Sequence, residues 1–329
     1  MRRRDLVAAA VLAVLARPAV SIAQGRIARI GFLGAESAAG YSPNVEALRA
    51  GLRELGHIEG MNLAIEFRWA DGQYGRLQQL AGELVRMNVD VIVTHGAPGT
   101  GAAKRATSTV PIVMASAGDA VATGLVANLA RPEANVTGST FFAPEVGAKR
   151  LDLLKEAMPG LKRVAYLSVP GNPITPQVNA MIESAARALE IHALEIQLVW
   201  LTARDKQELG TAVSAASKQN AEAIMVPEYS LFRASAGFLA ELAAAERLPA
   251  IGFREFADAG GFIGYGPDDQ ALYRRAAVFV DKLLKGAKPG ELPIERASTF
   301  ELIVNRAIAK KLGIVPPPAF LLRANRVIE

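Results

Sequence analysis

Short apolar runs alternate with segments of helical periodicity from residue 27 almost to the end of the chain, and no other feature constrains the fold as strongly. The first run, Arg29–Gly34, ends in a small-residue loop. Val45, Leu48, Leu52 and Leu55 then recur at helical spacing, and Gly56 ends that helix. Leu77, Leu80, Ala81, Leu84 and Val85 fit the i, i+3, i+4, i+7, i+8 stripe of an amphipathic helix. Further strands are expected at 62–69, 89–94, 111–115 and 135–141, with helices near 99–107 and Val121–Leu129. The second half repeats the scheme. Strands are expected at 163–168, 195–201, 222–227, 249–253, 262–265 and 300–304. Helices should carry Leu151, Leu154 and Met158, then span Thr175–Leu189, Leu231–Arg247 and 270–286. Strands that alternate with helices of this length form parallel sheets of βαβ units. Two such series in 329 residues predict two doubly wound α/β lobes. In such sheets the ligand site lies beyond the carboxyl ends of the strands, so the loops that follow each strand hold the candidate chemistry.

Composition removes several classes of function. Cysteine is absent, which excludes disulfides, a catalytic thiol and thiolate metal sites. The only histidines are His57, His95 and His192, with no HExxH among them, and no metal or other cofactor is expected. The formal net charge is +5. Arg2, Arg3, Arg4 and Arg17 against Asp5 place +3 of it in residues 1–23, leaving a near-neutral body with no basic surface for nucleic acid. Those 23 residues read as an export signal: a positive start, a short apolar run Leu6–Leu15, and small residues Ser21 and Ala23 before a cleavage point at Gln24. The expectation is a periplasmic protein, cleaved after Ala23, with no membrane span in its mature form.

The loops carry binding groups but no catalytic set. The first, Ala35, Glu36 and Ser37, lacks GxGxxG, so a dinucleotide fingerprint is poorly supported. Gly96–Gly101 looks like a phosphate loop until Ala102 and Ala103, which stand where Lys and Ser/Thr belong. A glycine-rich turn that opens a helix still presents backbone N–H groups and the positive end of the helix dipole, which suits a carboxylate. His95, Gly96 and Ala97 sit at that turn. In the loop Ser116, Ala117, Gly118 and Asp119, the serine can donate to a carboxylate and the aspartate can accept from an ammonium or cap the next helix. Asn172, Glu228, Tyr229 and Arg254 occupy the corresponding loops of the second half. Tyr229, Phe253 and Tyr265 can wall an apolar side chain. No GxSxG elbow is present.

Gly118–Val121 through Gly124–Val126, Arg131–Gly138, Lys149–Lys155, Gly260-Gly261 with Tyr265–Pro267, and Phe300–Leu302 with Asn305 resemble the periplasmic substrate-binding proteins of ABC transporters. The resemblance is to the family that includes the tryptophan-binding TrpX-type proteins, and it runs from about Ile30 to the C-terminus. It departs where the family usually has Pro at Ala120 and Gly-Gly at Glu133-Ala134. The resemblance implies the type I periplasmic-binding-protein fold, two lobes joined by a three-strand hinge. It places residues 27–143 with 268–295 in the first lobe and 144–267 with 298–329 in the second. It implies no enzyme activity. The expected role is an exported receptor that captures a small carboxylate-bearing ligand, such as an amino acid with an apolar or aromatic side chain, and delivers it to a permease. The competing readings are an exported enzyme on the same scaffold and the effector-binding domain of a regulator, which would need a DNA-binding module.

Overall fold

The computed structural model describes residues 26–132, 134–170, 175–191 and 196–329. The expected export signal and Asn172 lie outside the described residues. The chain runs β1 (Ala28–Gly34), α1 (Ala38–Glu54), β2 (Leu63–Trp69), α2 (Leu77–Arg86), β3 (Val91–Thr94), α3 (Gly96–Ala106), β4 (Ile112–Met114) and β5 (Val136–Thr140). It continues with α4 (Ala143–Ala157), β6 (Arg163–Ser168), α5 (Thr175–Ile191), β7 (Gln197–Thr202), α6 (Glu208–Lys218), β8 (Ala223–Met225), α7 (Ser230–Ala234), α8 (Ala236–Ala245), β9 (Ala250–Gly252) and β10 (Ile263–Pro267). It closes with α9 (Asp269–Leu284), β11 (Glu295–Arg296), β12 (Phe300–Asn305), α10 (Arg306–Leu312), α11 (Pro318–Leu321) and β13 (Arg326–Ile328).

Two sheets result. The first has the order β11-β5-β4-β3-β1-β2 and is parallel throughout. The second has the order β13-β12-β10-β9-β8-β6-β7, with one antiparallel pair, β10 with β12. Every residue of β3, β4, β5, β8 and β9 is buried. Helices on both faces of a parallel sheet produce that burial, and it explains why β4, β8 and β9 read as unbroken apolar runs, while β5 buries Thr137, Ser139 and Thr140 as well. In the first lobe, Leu77, Leu80, Ala81 and Leu84 of α2 pack on one face. Tyr41, Leu48 and Leu52 of α1, with Tyr273, Ala276 and Val280 of α9, cover the other. Helix α9 thus follows the second sheet in sequence but packs on the first.

The chain passes between the sheets three times: after β5, after β10, and between β11 and β12. The crossings lie side by side, since Phe142, Tyr265, Arg296 and Phe300 line one groove of about 350 Å³ and the Arg296 guanidinium stacks 3.7 Å over the Phe142 ring. Across the cleft the lobes touch. Tyr41 Oη lies 3.1 Å from Ser230 Oγ, and Arg233 Nη1 lies 2.5 Å from Asp269 Oδ2. The lobes are therefore closed on one another.

Two local expectations need correction. Val121–Leu129 forms turns rather than a helix, because Asp119 Oδ1 accepts from the amides of Val121 and Ala122 and Gly124 then reverses the backbone at φ 69°. The expected helix Leu231–Arg247 is two helices, α7 and α8, that break at Ser235. The residues after the proline-rich stretch contribute β13, which pairs with β12 at the edge of the second sheet.

Candidate functional site

A cavity lies between the lobes, at the carboxyl ends of the strands as the sheet rule requires. It holds about 90 Å³ of space for the centre of a water molecule. The first lobe contributes His95, Gly96, Ala97 and Pro98 from the β3–α3 turn, then Ser116, Gly118 and Asp119 from the loop after β4. Gly96 has φ +67°, a left-handed conformation that folds the turn back so that its amide donates to the Ser116 carbonyl at 2.8 Å. That bond ties the two loops into one wall. Tyr74, which packs against cores of both lobes, closes one side.

The second lobe contributes Gly147 and Arg150 from α4, Tyr166 from β6, Val178 and Ile182 from α5, Met225 at the end of β8, then Pro227, Glu228, Tyr229, Ser230 and Arg233. Arg150 is 1% exposed. Its Nε donates to the Tyr265 carbonyl at 2.9 Å, and its Nη2 donates to the same carbonyl at 2.5 Å and pairs with Glu228. The rest of the lining is largely apolar and aromatic, and the charges in it balance: Arg150 and Arg233 against Asp119 and Glu228.

His95 is the polar centre of the first wall. Its Nε2 is hydrogen-bonded with Tyr41 Oη and lies 3.2 Å from Ser230 Oγ on the opposite lobe. Burial, assisted by the positive Arg233, holds the imidazole down at about pKa 3, so the ring is neutral. Burial pushes the Tyr41 phenol well above its ordinary range, so it stays protonated. Among the described residues no group of three or more His, Cys, Asp or Glu side chains can hold a metal ion.

Residues 37–328 match the family described as ABC transporter substrate binding protein. The chain belongs to that family. A tyrosine-binding protein of Clostridioides difficile (strain R20291) is 25% identical over 264 residues, covering 80% of this chain and 74% of that protein. A conserved domain protein from Vibrio cholerae O1 biovar El Tor superposes with a TM-score of 0.84 at 26% identity, covering 92% of this chain and all of that one. An ABC domain from Streptococcus pneumonia in complex with L-Trp superposes with a TM-score of 0.82 at 23% identity, covering 92% of this chain and 99% of that one. The fold is that of type I periplasmic binding proteins. Family membership makes this chain a solute receptor, implies a small-molecule ligand and a permease, and places it among proteins that are typically extracytoplasmic. Its family and neighbours bind solutes rather than convert them. Among the described residues no helix is long and apolar enough to cross a membrane.

Eight of the residues chosen from strand-end loops line this substrate-binding protein's cavity: His95, Gly96, Ala97, Ser116, Gly118, Asp119, Glu228 and Tyr229. The others that the structure describes lie elsewhere. Ala117 is packed in the core of the first lobe, and its amide and carbonyl bond to β5 and Phe141. Ala35 is core, its carbonyl accepts from the Gly72 amide, and Ser37 stands at the start of α1 without capping it. Arg254 reaches Glu301 at 2.5 Å and Asp268 at 3.9 Å, on the hinge side. Of the three aromatic candidates only Tyr229 lines the cavity. Phe253 lies under the Arg233 guanidinium, and Tyr265 faces the hinge groove. Arg150, Tyr166, Ser230 and Arg233 line the cavity without having been singled out, and Tyr41 braces it from behind.

Glu36 is buried behind the first wall, and its Oε1 has no partner among the described residues. Burial, then the nearby Asp71 carboxylate, lifts its pKa from 4.5 to about 7. A carboxyl whose folded value is raised is ionised at a cost. Below about 4.5 it is protonated in both states, and above about 7 folding bears the whole cost of the buried charge. Glu36→Gln is therefore expected to stabilise the protein at pH 8 by about 1–2 kcal/mol, allowing for screening by water, and to change little at pH 4. Urea unfolding at the two pH values checks this, and an equal gain at both would contradict it.

Proposed function

We propose that this receptor closes on a zwitterionic amino acid with an apolar or aromatic side chain and passes it to the transmembrane subunits of an ABC permease. One observation carries the reading: a cavity enclosed by both lobes whose lining is charge-balanced and otherwise largely apolar and aromatic. A solute of zero net charge leaves that balance intact, whereas a dianion or a polyamine does not. The α3 turn suits the carboxylate, and Asp119 and Glu228 suit the ammonium. Tyr166, Phe141, Met225 and Ile182 suit the side chain. Ala97, Ser116, Gly118 and Tyr229 complete the contact set in this reading. The tyrosine-binding relative and the L-Trp complex support the same ligand class.

Closure follows from differential affinity: a solute that touches both walls favours the closed arrangement and no other. Residues 27–143 with 268–295 would move as one lobe, and 144–267 with 298–329 as the other. The export signal ahead of Gln24 supports delivery to the periplasm and release after Ala23. Isothermal titration with the twenty amino acids, simple organic acids and a set of sugars tests the proposal. The expected result is micromolar or tighter binding confined to apolar and aromatic amino acids. Binding of sugars alone would overturn it.

A further inference from the structure

His95 is connected on one side only. Its Nε2 is engaged by the Tyr41 phenol and by Ser230 Oγ across the cleft, while Nδ1 is buried with no hydrogen-bond partner among the described residues. The ring lines the cavity, and the residue is 8% exposed. A buried polar atom without a partner is uncommon enough in a folded protein to need an explanation. The residue holds the N-cap position of α3, an eleven-residue helix, yet its side chain accepts no bond from the first-turn amides. An acceptor at Nδ1 would be well placed to do so.

The tautomer follows from the network. The Tyr41 phenol donates to Ser230 Oγ at 3.1 Å, which leaves the serine's own proton for Nε2 at 3.2 Å. With Nε2 accepting, a neutral imidazole carries its single proton on Nδ1. A residue of the cavity wall thus carries a buried N–H donor at the positive end of α3, with Arg233 close enough to bias the same region toward negative charge. All three features call for an anionic oxygen, and none suits an ammonium.

We infer that His95 is a relay that reads the ligand's carboxylate with Nδ1–H and, through Nε2, holds the Tyr41–Ser230 contact that joins the lobes. The inference rests on the amino-acid reading and deepens it by giving carboxylate recognition and closure one shared ring. A carboxylate on Nδ1 fixes the proton there, which keeps Nε2 an acceptor and strengthens the bond it receives from Ser230 across the cleft. A ligand without the carboxylate fills the apolar part of the cavity but leaves the donor unpaired, and discrimination against such analogues is correspondingly large.

Two side chains separate the functions. Asparagine places an amide near the Nδ1 position, and glutamine places one near Nε2. Titration of the wild type, His95→Asn and His95→Gln with L-tyrosine and L-tryptophan, and with tyramine and tryptamine, reads the carboxylate's contribution. The wild type is expected to prefer the amino acids over the amines by at least 100-fold. His95→Asn should keep at least tenfold preference, and His95→Gln should lose it. Wild-type preference in His95→Gln overturns the relay alone. Failure of the wild type to bind either amino acid defeats the amino-acid reading and the relay with it. Nitrogen-15 NMR of the wild type gives a second readout that needs no variant, because the chain has only three histidines. One ring should be a neutral Nδ1–H tautomer whose Nδ1 resonance moves on adding L-tyrosine. An Nε2–H tautomer at His95 overturns the relay.

Discussion

Arg150→Met is expected to lower folding stability by about 3–5 kcal/mol, the usual cost of removing one partner from a buried ion pair. Methionine replaces much of the aliphatic stem, so the loss falls on the guanidinium. That group serves three segments at once: it lies on α4 just after the first crossing, bonds the Tyr265 carbonyl two residues before the second crossing ends β10, and pairs with Glu228 in the cavity wall. Without it the Tyr265 carbonyl loses its side-chain donors, and the Glu228 carboxylate, whose side chain is 12% exposed, faces the cavity uncompensated. The double variant Arg150→Met/Glu228→Gln removes both charges and is expected to be more stable than Arg150→Met alone, because the stranded carboxylate is the larger part of the cost. Urea unfolding of the two single variants and the double variant measures this. A loss under about 1 kcal/mol for Arg150→Met, or a double variant as unstable as the sum of the singles, would mean that the pair is not coupled as its geometry requires.

Arg150 also shows where the sequence stops being legible. Strand and helix order could be read because each sheet is buried on both faces, so apolar runs mark its strands and amphipathic stripes mark its helices. The strand-end rule then led to His95–Ala97, Ser116, Gly118–Asp119 and Glu228–Tyr229, which do line the cavity. It missed Arg150 and Arg233 because both lie inside helices that cap the cleft from the side. A signal was present. Gly147, Arg150, Leu151 and Leu154 occupy one face of α4 at i, i+3, i+4, i+7, so the arginine interrupts a buried stripe. A cation on an apolar face must find a buried partner. Tyr41 was less readable, since its partners are 54 and 189 residues away and nothing local marks it as other than core. The turns at Val121–Leu129 were misread because apolar periodicity outweighed Asp119 and Gly124, and the tertiary wall, not the local pattern, decides that segment.

Asp269→Ala is expected to weaken ligand binding by roughly 10²–10³-fold while leaving the unliganded protein nearly as stable as the wild type. Asp269 begins α9 on the first lobe, and Arg233 lies on α7 of the second; the two side chains are 2% and 10% exposed and 2.5 Å apart. Burial pushes the Asp269 carboxyl up and the Arg233 guanidinium pulls it back, so in the closed arrangement each charge depends on the other. When they part, water solvates both groups and the pair contributes nothing. Its removal therefore costs the closed arrangement about 3–4 kcal/mol and the open one little. Since affinity is scaled by the weight of the closed arrangement, that difference appears in the dissociation constant. Arg233 would retain Glu255 at 3.4 Å and the Phe253 ring at 4.5 Å, which keeps α7 folded in the single variant. Arg233→Met/Asp269→Ala leaves no stranded charge in that pair and should bind more tightly than the sum of the single losses implies. Titration calorimetry on the four proteins gives the coupling, and small-angle scattering with and without ligand shows whether closure is what changed. Additive losses, or a variant that closes as readily as the wild type, would remove this ion pair from the closing mechanism and leave the Tyr41–His95–Ser230 contact as the remaining latch.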